Sequence, residues 1–181
     1  MKKYNLMIMS FENRMQKINI RNWQISDAQA LAAVANNRNV WNSIRNEFPS
    51  PYTVMDALAW IKHKNEEKPV SNFAIEIGGL VAGNISCTWH KDVYAKTVEI
   101  GYFIGENYWG KGIATAAVSQ MLEAIKKNKE IVRIEAKIFG NNKGSARVLE
   151  KNNFVLEGTR KNAIFKNGVI ADEEVWVHLV S

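Results

Sequence analysis

The sequence predicts a mixed α/β fold: one domain in which a mostly antiparallel sheet of about seven strands carries helices on both faces. Three observations predict it. Strand-like segments first follow one another directly, as in a meander, and then alternate with helices. The last two strands are joined by Asn167-Gly168, a strong hairpin signal. This mixed order excludes an all-parallel doubly wound sheet.

A single domain accounts for the chain of 181 residues, of which 46% are hydrophobic and 23% charged. We expect residues 1–16 to be a loosely ordered N-terminal lead-in and residues 17–181 to form the domain. No apolar stretch approaches the ~18 residues of a membrane span, and the one cysteine, Cys87, has no disulfide partner within the chain. We therefore expect a cytoplasmic protein, monomeric or homodimeric, that does not enter a membrane.

In the first half of the chain, segments with the two-residue period of a strand alternate with segments that have the 3.6-residue period of a helix. A strand is predicted at Ile18 and Ile20, and Ser26 and Asp27 are N-cap candidates for the helix that follows. Two prolines then favour a rigid loop over residues 42–52.

Thr53 is predicted to cap a second helix. Two strands follow over residues 73–77 and 80–89, with Gly78-Gly79 as a hairpin turn.

The second half contains the strongest helix signal. Apolar residues recur at helical spacing from about Lys111, in a stripe formed by Ala114, Ala117, Val118, Met121, Leu122 and Ile125. The remaining predicted elements are strands at 98–104, 132–138, 154–165 and 169–179, and a short helix at 143–152.

The net charge of +6 is spread along the chain. Its densest run, Lys126–Lys129, ends a predicted helix, where cations suit the negative end of the dipole. The sequence has neither a nucleic-acid motif nor a clustered basic face, so no nucleic-acid partner is expected. The three histidines share no metal-ligand spacing, so no metal site is expected either.

A glycine-rich turn precedes the strongest helix, in the segment Trp109-Gly110-Lys111-Gly112-Ile113-Ala114-Thr115. The first turn of a helix leaves four N–H groups without partners at the positive end of its dipole. Glycines at 110 and 112 let an anion approach these amides, and Lys111 adds positive charge. A tight turn that binds nothing would have the same glycines, so this segment alone leaves both interpretations open.

A nucleotide P-loop is the third interpretation of the turn. Residues Gly105 to Lys111 match G-x-x-x-x-G-K, but the next residue is Gly112, whereas the motif requires Ser or Thr to bind magnesium. No strand that ends in a magnesium-binding Asp is evident. These departures disfavour the P-loop.

Two further segments accompany the turn, Glu99–Ile104 before it and Asn142–Phe154 after it. In the turn, Trp109, Gly112 and Ala114 occupy the positions of the motif R/Q-x-x-G-x-G/A. In order and spacing, the three segments resemble the GNAT (Gcn5-related N-acetyltransferase) superfamily. Trp in place of Arg or Gln is typical of the branch similar to ribosomal-protein-alanine acetyltransferases.

The resemblance covers about residues 17–179 and implies a GNAT-like single domain. It implies acetyl-CoA as co-substrate and direct N-acetylation of an amine, with no covalent enzyme intermediate. The leading acceptor is a protein N-terminal amine. A small amine such as a polyamine or an antibiotic is the alternative, and a non-catalytic acyl-CoA-binding regulatory module is a second one.

The resemblance also implies a donor site. The backbone of Tyr102, Phe103 and Ile104 would pair with the pantetheine arm by strand addition. Asn142 would hydrogen-bond the pantetheine or acetyl region together with Ser145, although Asn is also a good helix N-cap. The pyrophosphate would be held by Trp109, Gly110, Lys111, Gly112, Ile113, Ala114 and Thr115.

Two catalytic candidates follow from the same comparison. Many relatives protonate the departing thiolate with a Tyr, but the matching residue here is Leu149, so Ser145, one turn earlier, is the candidate donor. Glu99 is the candidate general base. Their alternatives are a structural serine at a helix start and a surface glutamate. Asn153 stands where the family has Gly, and we expect it to close the short helix in a left-handed conformation.

The strength of the base bears on the acceptor. Deprotonating a lysine side chain near neutral pH costs about 4 kcal/mol, whereas an α-amine costs about 1 kcal/mol. A weak or water-relayed base therefore favours an α-amine. Trp41 and Tyr52 are candidate walls of the acceptor pocket, or else core residues, and Glu47 is a candidate anchor for a cationic substrate.

Overall fold

The computed structural model describes residues 18–180. Within this range, seven strands form one sheet: β1 (Ile18–Asn22), β2 (Asn72–Ile77), β3 (Leu80–Trp89), β4 (Thr97–Ile104), β5 (Arg133–Phe139), β6 (Val155–Lys166) and β7 (Val169–Leu179). The α-helices are α1 (Ala28–Ala35), α2 (Arg38–Trp41), α3 (Val54–Glu66), α4 (Ile113–Ile125) and α5 (Lys143–Lys151). The lead-in predicted for residues 1–16 lies outside the described residues.

The strand order is β1-β2-β3-β4-β5-β7-β6. Strands β4 and β5 are parallel, and the other neighbours are antiparallel. Parallel neighbours need a crossover connection, which α4 supplies here. The predicted mixed, mostly antiparallel sheet is confirmed, and its parallel pair lies in the middle of the sheet.

Helices cover both faces, as predicted. On one face, α4 and α5 pack on the larger core, to which α4 contributes Ile113, Ala117, Val118, Met121, Leu122 and Ile125. On the other face, α1 and α3 enclose a second core around Trp23, Leu31 and Ile61. Among residues 18–180, no helix is both long and apolar enough to cross a membrane.

Turn chemistry sets several element boundaries as predicted. Thr53 Oγ1 accepts a hydrogen bond from the N–H of Asp56 at 3.2 Å, and the Asp56 carboxylate accepts one from the N–H of Thr53 at 2.8 Å, which makes a capping box for α3. Asn167 and Gly168 have φ angles of 53° and 76°, as a two-residue hairpin requires. Asn153, with φ of 60°, closes α5.

Two local features differ from the sequence prediction. Helix α2 was not predicted; it begins where the Asn37 side chain accepts hydrogen bonds from two N–H groups of the first turn. Asp27, a predicted N-cap, does not cap α1. Its carboxylate instead accepts hydrogen bonds from Arg21, at 2.7 and 3.0 Å, and from the N–H of Gln24, at 2.9 Å.

Candidate active site

The parallel strands β4 and β5 separate soon after they meet. Their pairing extends only from Thr97 and Arg133 to Glu99 and Glu135, although both strands continue beyond these residues. Beyond that point, the edge of β4 that faces β5 carries backbone groups that no neighbouring strand uses. The sheet therefore has a gap at its centre.

Hydrogen bonds at the two ends of β4 show which residues face the gap. The Lys96 carbonyl accepts from Val132 at 3.1 Å, on the β5 side, and the N–H of Gly105 donates to Ala82 at 2.9 Å, on the β3 side. Backbone groups alternate between the two edges of a strand, so even-numbered residues, including Tyr102 and Ile104, face the gap.

Phe103 faces away from the gap. It pairs with Asn84 of β3, so its backbone is not free to bind a ligand in the gap, which differs from our expectation. Ile104 is only partly free, because its carbonyl accepts a hydrogen bond from the Trp109 indole at 2.7 Å.

A cleft of about 1150 Å³ opens at the gap. Tyr102 and Glu99 both line it, although their positions in β4 direct their side chains to opposite faces of the sheet. The cleft therefore passes through the sheet. On the α4 and α5 face its lining includes Gly110, Gly112, Ile113, Ala114, Thr115, Asn142 and Ser145, and on the α1 and α3 face Ser43, Ile44, Arg45, Asn46, Ile164 and Lys166.

The glycine-rich turn presents free amides to the cleft. Gly110 and Gly112 have φ angles of 71° and 75°, and a Cβ on either would meet no atom within 4 Å. No described residue accepts a hydrogen bond from the N–H groups of residues 110–115, and the first helical bond runs from Ala116 to Gly112. These amides and the open space above them fit an anionic diphosphate.

Trp109 and Lys111 support the turn in different ways. The Trp109 indole lines the cleft and anchors the turn to the end of β4. Lys111 Nζ donates to the Asn107 carbonyl at 2.8 Å and does not line the cleft. Its charge lies close to the turn, but its ammonium group is directed back along the chain.

The start of α5 brings two of the expected side chains to the cleft. Asn142 Oδ1 accepts a hydrogen bond from the N–H of Ser145 at 3.0 Å, so Asn142 is an N-cap. Its amide NH₂ and the Ser145 hydroxyl have no hydrogen-bond partner among the described residues. The Tyr102 hydroxyl donates to the Ser145 carbonyl at 3.2 Å and joins β4 to α5.

Glu99 lies where β4 and β5 separate, and cations surround it. Its Oε2 accepts a hydrogen bond from Lys137 Nζ at 2.6 Å, and its Oε1 lies 3.6 Å from the Arg45 guanidinium. The side chain is 20% exposed. The Glu99 carboxylate therefore lies between two cationic side chains.

Sequence reasoning missed the residues around Glu99. His90 Nε2 lies 4.0 Å from Glu99 and 3.7 Å from Glu135, and these three side chains could together surround a cation. Lys137 already occupies that place, since its ammonium is also 3.3 Å from Glu135. The sequence signal for this cluster is the alternation of charged and apolar residues along β5. It does not identify the cluster until the register of β5 with β4 is known.

The predicted acceptor residues do not line the cleft. Trp41 donates its indole N–H to the Phe48 carbonyl at 2.7 Å and packs against Lys166, whose Nζ is 3.3 Å from the ring centroid. Tyr52 is buried, stacks on Phe48 with centroids 4.3 Å apart, and has its pKa raised to about 12 by burial and by Asp56. The Glu47 side chain is exposed.

Residues 43–46, immediately before Glu47, line the cleft in their place. The part of the cleft near Glu99 is therefore lined by the first residues of the predicted loop 42–52, and not by Trp41 or Tyr52.

The fold and the cleft define a class of protein: an α/β domain whose cleft runs from the free amides at a helix N-terminus through a gap in the sheet, with a shape suited to a long anionic ligand. Residues 17–155 match the family model described as the acetyltransferase (GNAT) domain. The chain belongs to the GNAT acetyltransferase family.

Relatives with curated names match parts of the chain. Eighty residues are 40% identical to the probable N-acetyltransferase YjcK of Bacillus subtilis strain 168, which is 44% of each protein. Eighty-five residues are 32% identical to the ribosomal-protein-serine acetyltransferase of Escherichia coli K12, which is 47% of this chain and 48% of that protein. The chain thus spans about half the length of these relatives.

A solved structure extends the likeness to the whole fold. The microcin C7 self-immunity acetyltransferase MccE, in complex with acetyl-CoA and AMP, superposes with a TM-score of 0.77 at 25% identity, over 91% of this chain and 93% of that chain.

Proposed function

We propose that the chain is an acetyl-CoA-dependent N-acetyltransferase that moves the acetyl group directly to an α-amine, with a protein N-terminus as the leading acceptor. One observation carries the proposal. A single cleft joins the free amides of residues 110–115 to the Glu99 carboxylate through the gap between β4 and β5. Membership of the GNAT family and the acetyl-CoA held by MccE support the choice of donor.

The chain has groups suited to each part of the donor. The amides of residues 110–115 would bind the pyrophosphate, and the free backbone of Tyr102, with the N–H of Ile104, would pair with the pantetheine arm. The Asn142 amide NH₂ is available to the same arm. The proposed setting is the cytoplasm, because the single thiol of Cys87 is buried and requires no oxidising compartment.

Direct transfer requires a neutral amine and a proton for the departing sulfur. The amine nitrogen attacks the thioester carbonyl carbon, so that a C–N bond forms and the C–S bond breaks. We assign the proton for the thiolate to the Ser145 hydroxyl, which lines the cleft and regains a proton from water, so that the hydroxyl is restored. Glu99, through Oε1 and a water molecule, would take the proton that the amine loses.

The surroundings of Glu99 favour an α-amine. Deprotonating an α-amine near neutral pH costs only about 1 kcal/mol, against about 4 kcal/mol for a lysine side chain. A site whose candidate base already accepts a hydrogen bond from Lys137 and lies beside Arg45 therefore favours the amine that is easier to deprotonate. This supports a protein N-terminus over an internal lysine. The likeness to a ribosomal-protein-serine acetyltransferase points the same way.

A polyamine fits less well in the part of the cleft near Glu99, where we propose that the acceptor binds. Among residues 18–180, two carboxylates line the cleft, and each already has a cation: Glu99 has Lys137, and Glu173 has Arg160. Within the described part of the chain, a cationic acceptor would therefore find no free carboxylate there.

The test is an assay of thiol release from acetyl-CoA with a panel of acceptors. We expect peptides with a free Ala or Ser N-terminus to be acetylated, and the same peptides with a blocked N-terminus and an internal lysine to react at least about 100-fold more slowly, as a pKa difference of about 2 implies. Spermidine and an aminoglycoside represent the small amines. Turnover of these small amines alone would replace the acceptor class, and the absence of thiol release with every acceptor would reject the proposal.

A further inference from the structure

Lys137 is a primary amine of the enzyme that lies in its own cleft. It lies two residues beyond the last pair of β4 and β5 and lines the same cleft as Glu99. Its side chain is 27% exposed. If the proposed function is right, a thioester and this lysine meet in one cavity, where a neutral amine would be acetylated.

Two carboxylates hold Lys137 in its charged form. Nζ lies 2.6 Å from Glu99 Oε2 and 3.3 Å from Glu135 Oε1. Burial alone would lower the pKa of Lys137, but the hydrogen bonds and the negative charges of Glu99 and Glu135 outweigh burial and raise it. A protonated amine has no lone pair with which to attack a carbonyl carbon.

The other groups around the pair come from several elements. Arg133 lies 3.1 Å from Glu135, on the same strand. From the loop before α3, Arg45 reaches within 3.6 Å of Glu99, and His90, after β3, lies 3.7 Å from Glu135. None of these three contacts Lys137, so the two carboxylates are its direct partners among the described residues.

We propose that Glu99 and Glu135 protect Lys137 from acetylation by the enzyme's own donor. The proposal rests on the proposed function and gives Glu99 a second role beside proton transfer. Without the protection, neutral Nζ attacks the thioester carbonyl carbon, the C–N bond forms and the C–S bond breaks. The nitrogen then loses a proton to water and the thiolate gains one, which yields an acetyl-lysine inside the cleft and free CoA.

Glu99→Gln tests the proposal, because Gln keeps the shape of the side chain and removes its charge. The variant is incubated with acetyl-CoA and no acceptor, then examined by intact mass and peptide mapping. We expect one acetyl group on Lys137, at a rate about tenfold above that of the wild type for each pKa unit lost. The rate should rise with pH until Lys137 is fully neutral.

Three variants serve as controls. Glu99→Gln combined with Lys137→Arg should gain no acetyl group, because a guanidinium stays protonated. Glu130→Gln breaks an exposed pair with Lys96, 3.4 Å long and outside the cleft, and should leave Lys96 as unmodified as in the wild type. Glu135→Gln, which removes the longer contact, should acetylate Lys137 more slowly than Glu99→Gln and serves as the test if the latter does not fold.

The outcomes separate the two proposals. A folded Glu99→Gln variant that binds acetyl-CoA and leaves Lys137 unmodified overturns the protective role, and the proposed function stands if the wild type still acetylates a peptide. If the folded wild-type protein binds no acetyl-CoA, both the protective role and the proposed function are rejected.

Discussion

Two glycine residues determine how closely a ligand can approach the turn before α4. Gly110 and Gly112 both adopt left-handed φ angles, and the space above each is empty to 4 Å. L-residues with a Cβ rarely adopt this conformation, which costs them about 1–2 kcal/mol. The same two residues therefore shape the backbone and leave the amides accessible.

Gly112→Val should abolish acetyl-CoA binding and leave the fold intact, because the new side chain fills the space that a pyrophosphate needs. Calorimetric titration with CoA measures the loss. Gly79→Val is the matched control, since Gly79 has φ of 83°, also with nothing within 4 Å, but lies in the β2–β3 turn. Both variants should lose similar stability on heating. Unchanged CoA affinity in folded Gly112→Val would count against the donor site.

At the scale of elements, the sequence predicted those features that are set by residues close to one another in the chain. Three of them are in the structure as expected: the Asn167-Gly168 hairpin, the Thr53 cap and the apolar stripe of α4. Helix α2 was missed because it is only four residues long and is set by one Asn37 cap rather than by periodicity.

The candidate site was predicted only in part, for a physical reason. The turn is contiguous in sequence, so its glycines could be recognised. The cluster of Glu99, Glu135, Lys137 and His90 is contributed by β4, β5 and the end of β3, and only the register of β4 with β5 brings it together. Trp41 and Tyr52 do not line the cleft as predicted, because they pack against other residues of the chain, as aromatic residues usually do.

The contact between the tip of the β6–β7 hairpin and α2 leads to a stability prediction. Lys166 Nζ is buried without a hydrogen-bond partner among residues 18–180 and lies 3.3 Å from the Trp41 ring centroid. Burial and the charge of Arg38 lower the pKa of Lys166. A desolvated cation–π contact contributes about 2 kcal/mol, so Trp41→Leu should lower the free energy of unfolding by at least that amount.

Urea unfolding measures the effect, and Lys166→Met completes a double-mutant cycle. The double variant should recover part of the stability lost in Trp41→Leu, because it no longer buries an unpaired charge. Simple additivity of the two single variants would show that the ring and the ammonium do not interact.

For the molecule as a whole, one network of ion pairs connects the β1 edge of the sheet to the start of α1. Arg21 donates hydrogen bonds to Glu76 of β2 at 2.6 Å and to Asp27 at 2.7 Å. Asp27 is 8% exposed and also accepts a hydrogen bond from the N–H of Gln24. Burial would raise the pKa of Asp27, but these hydrogen bonds outweigh it and lower the pKa. Folding therefore stabilises the ionised carboxylate.

This linkage predicts how stability changes in acid. A carboxyl group whose pKa is lower in the folded protein contributes its full stabilisation above its unfolded pKa, about 3.9, and loses it as the pH falls through the lower folded value. Asp27→Asn should therefore destabilise the protein at pH 7 and flatten the decline of the free energy of unfolding below about pH 4. Urea unfolding from pH 7 to pH 2.5 measures both effects.

Asp92→Asn is the control, because Asp92 is exposed and has a left-handed φ angle that Asn tolerates. This variant should keep the wild-type slope of the free energy of unfolding against pH. An unchanged slope in Asp27→Asn would mean that other carboxylates carry the acid sensitivity.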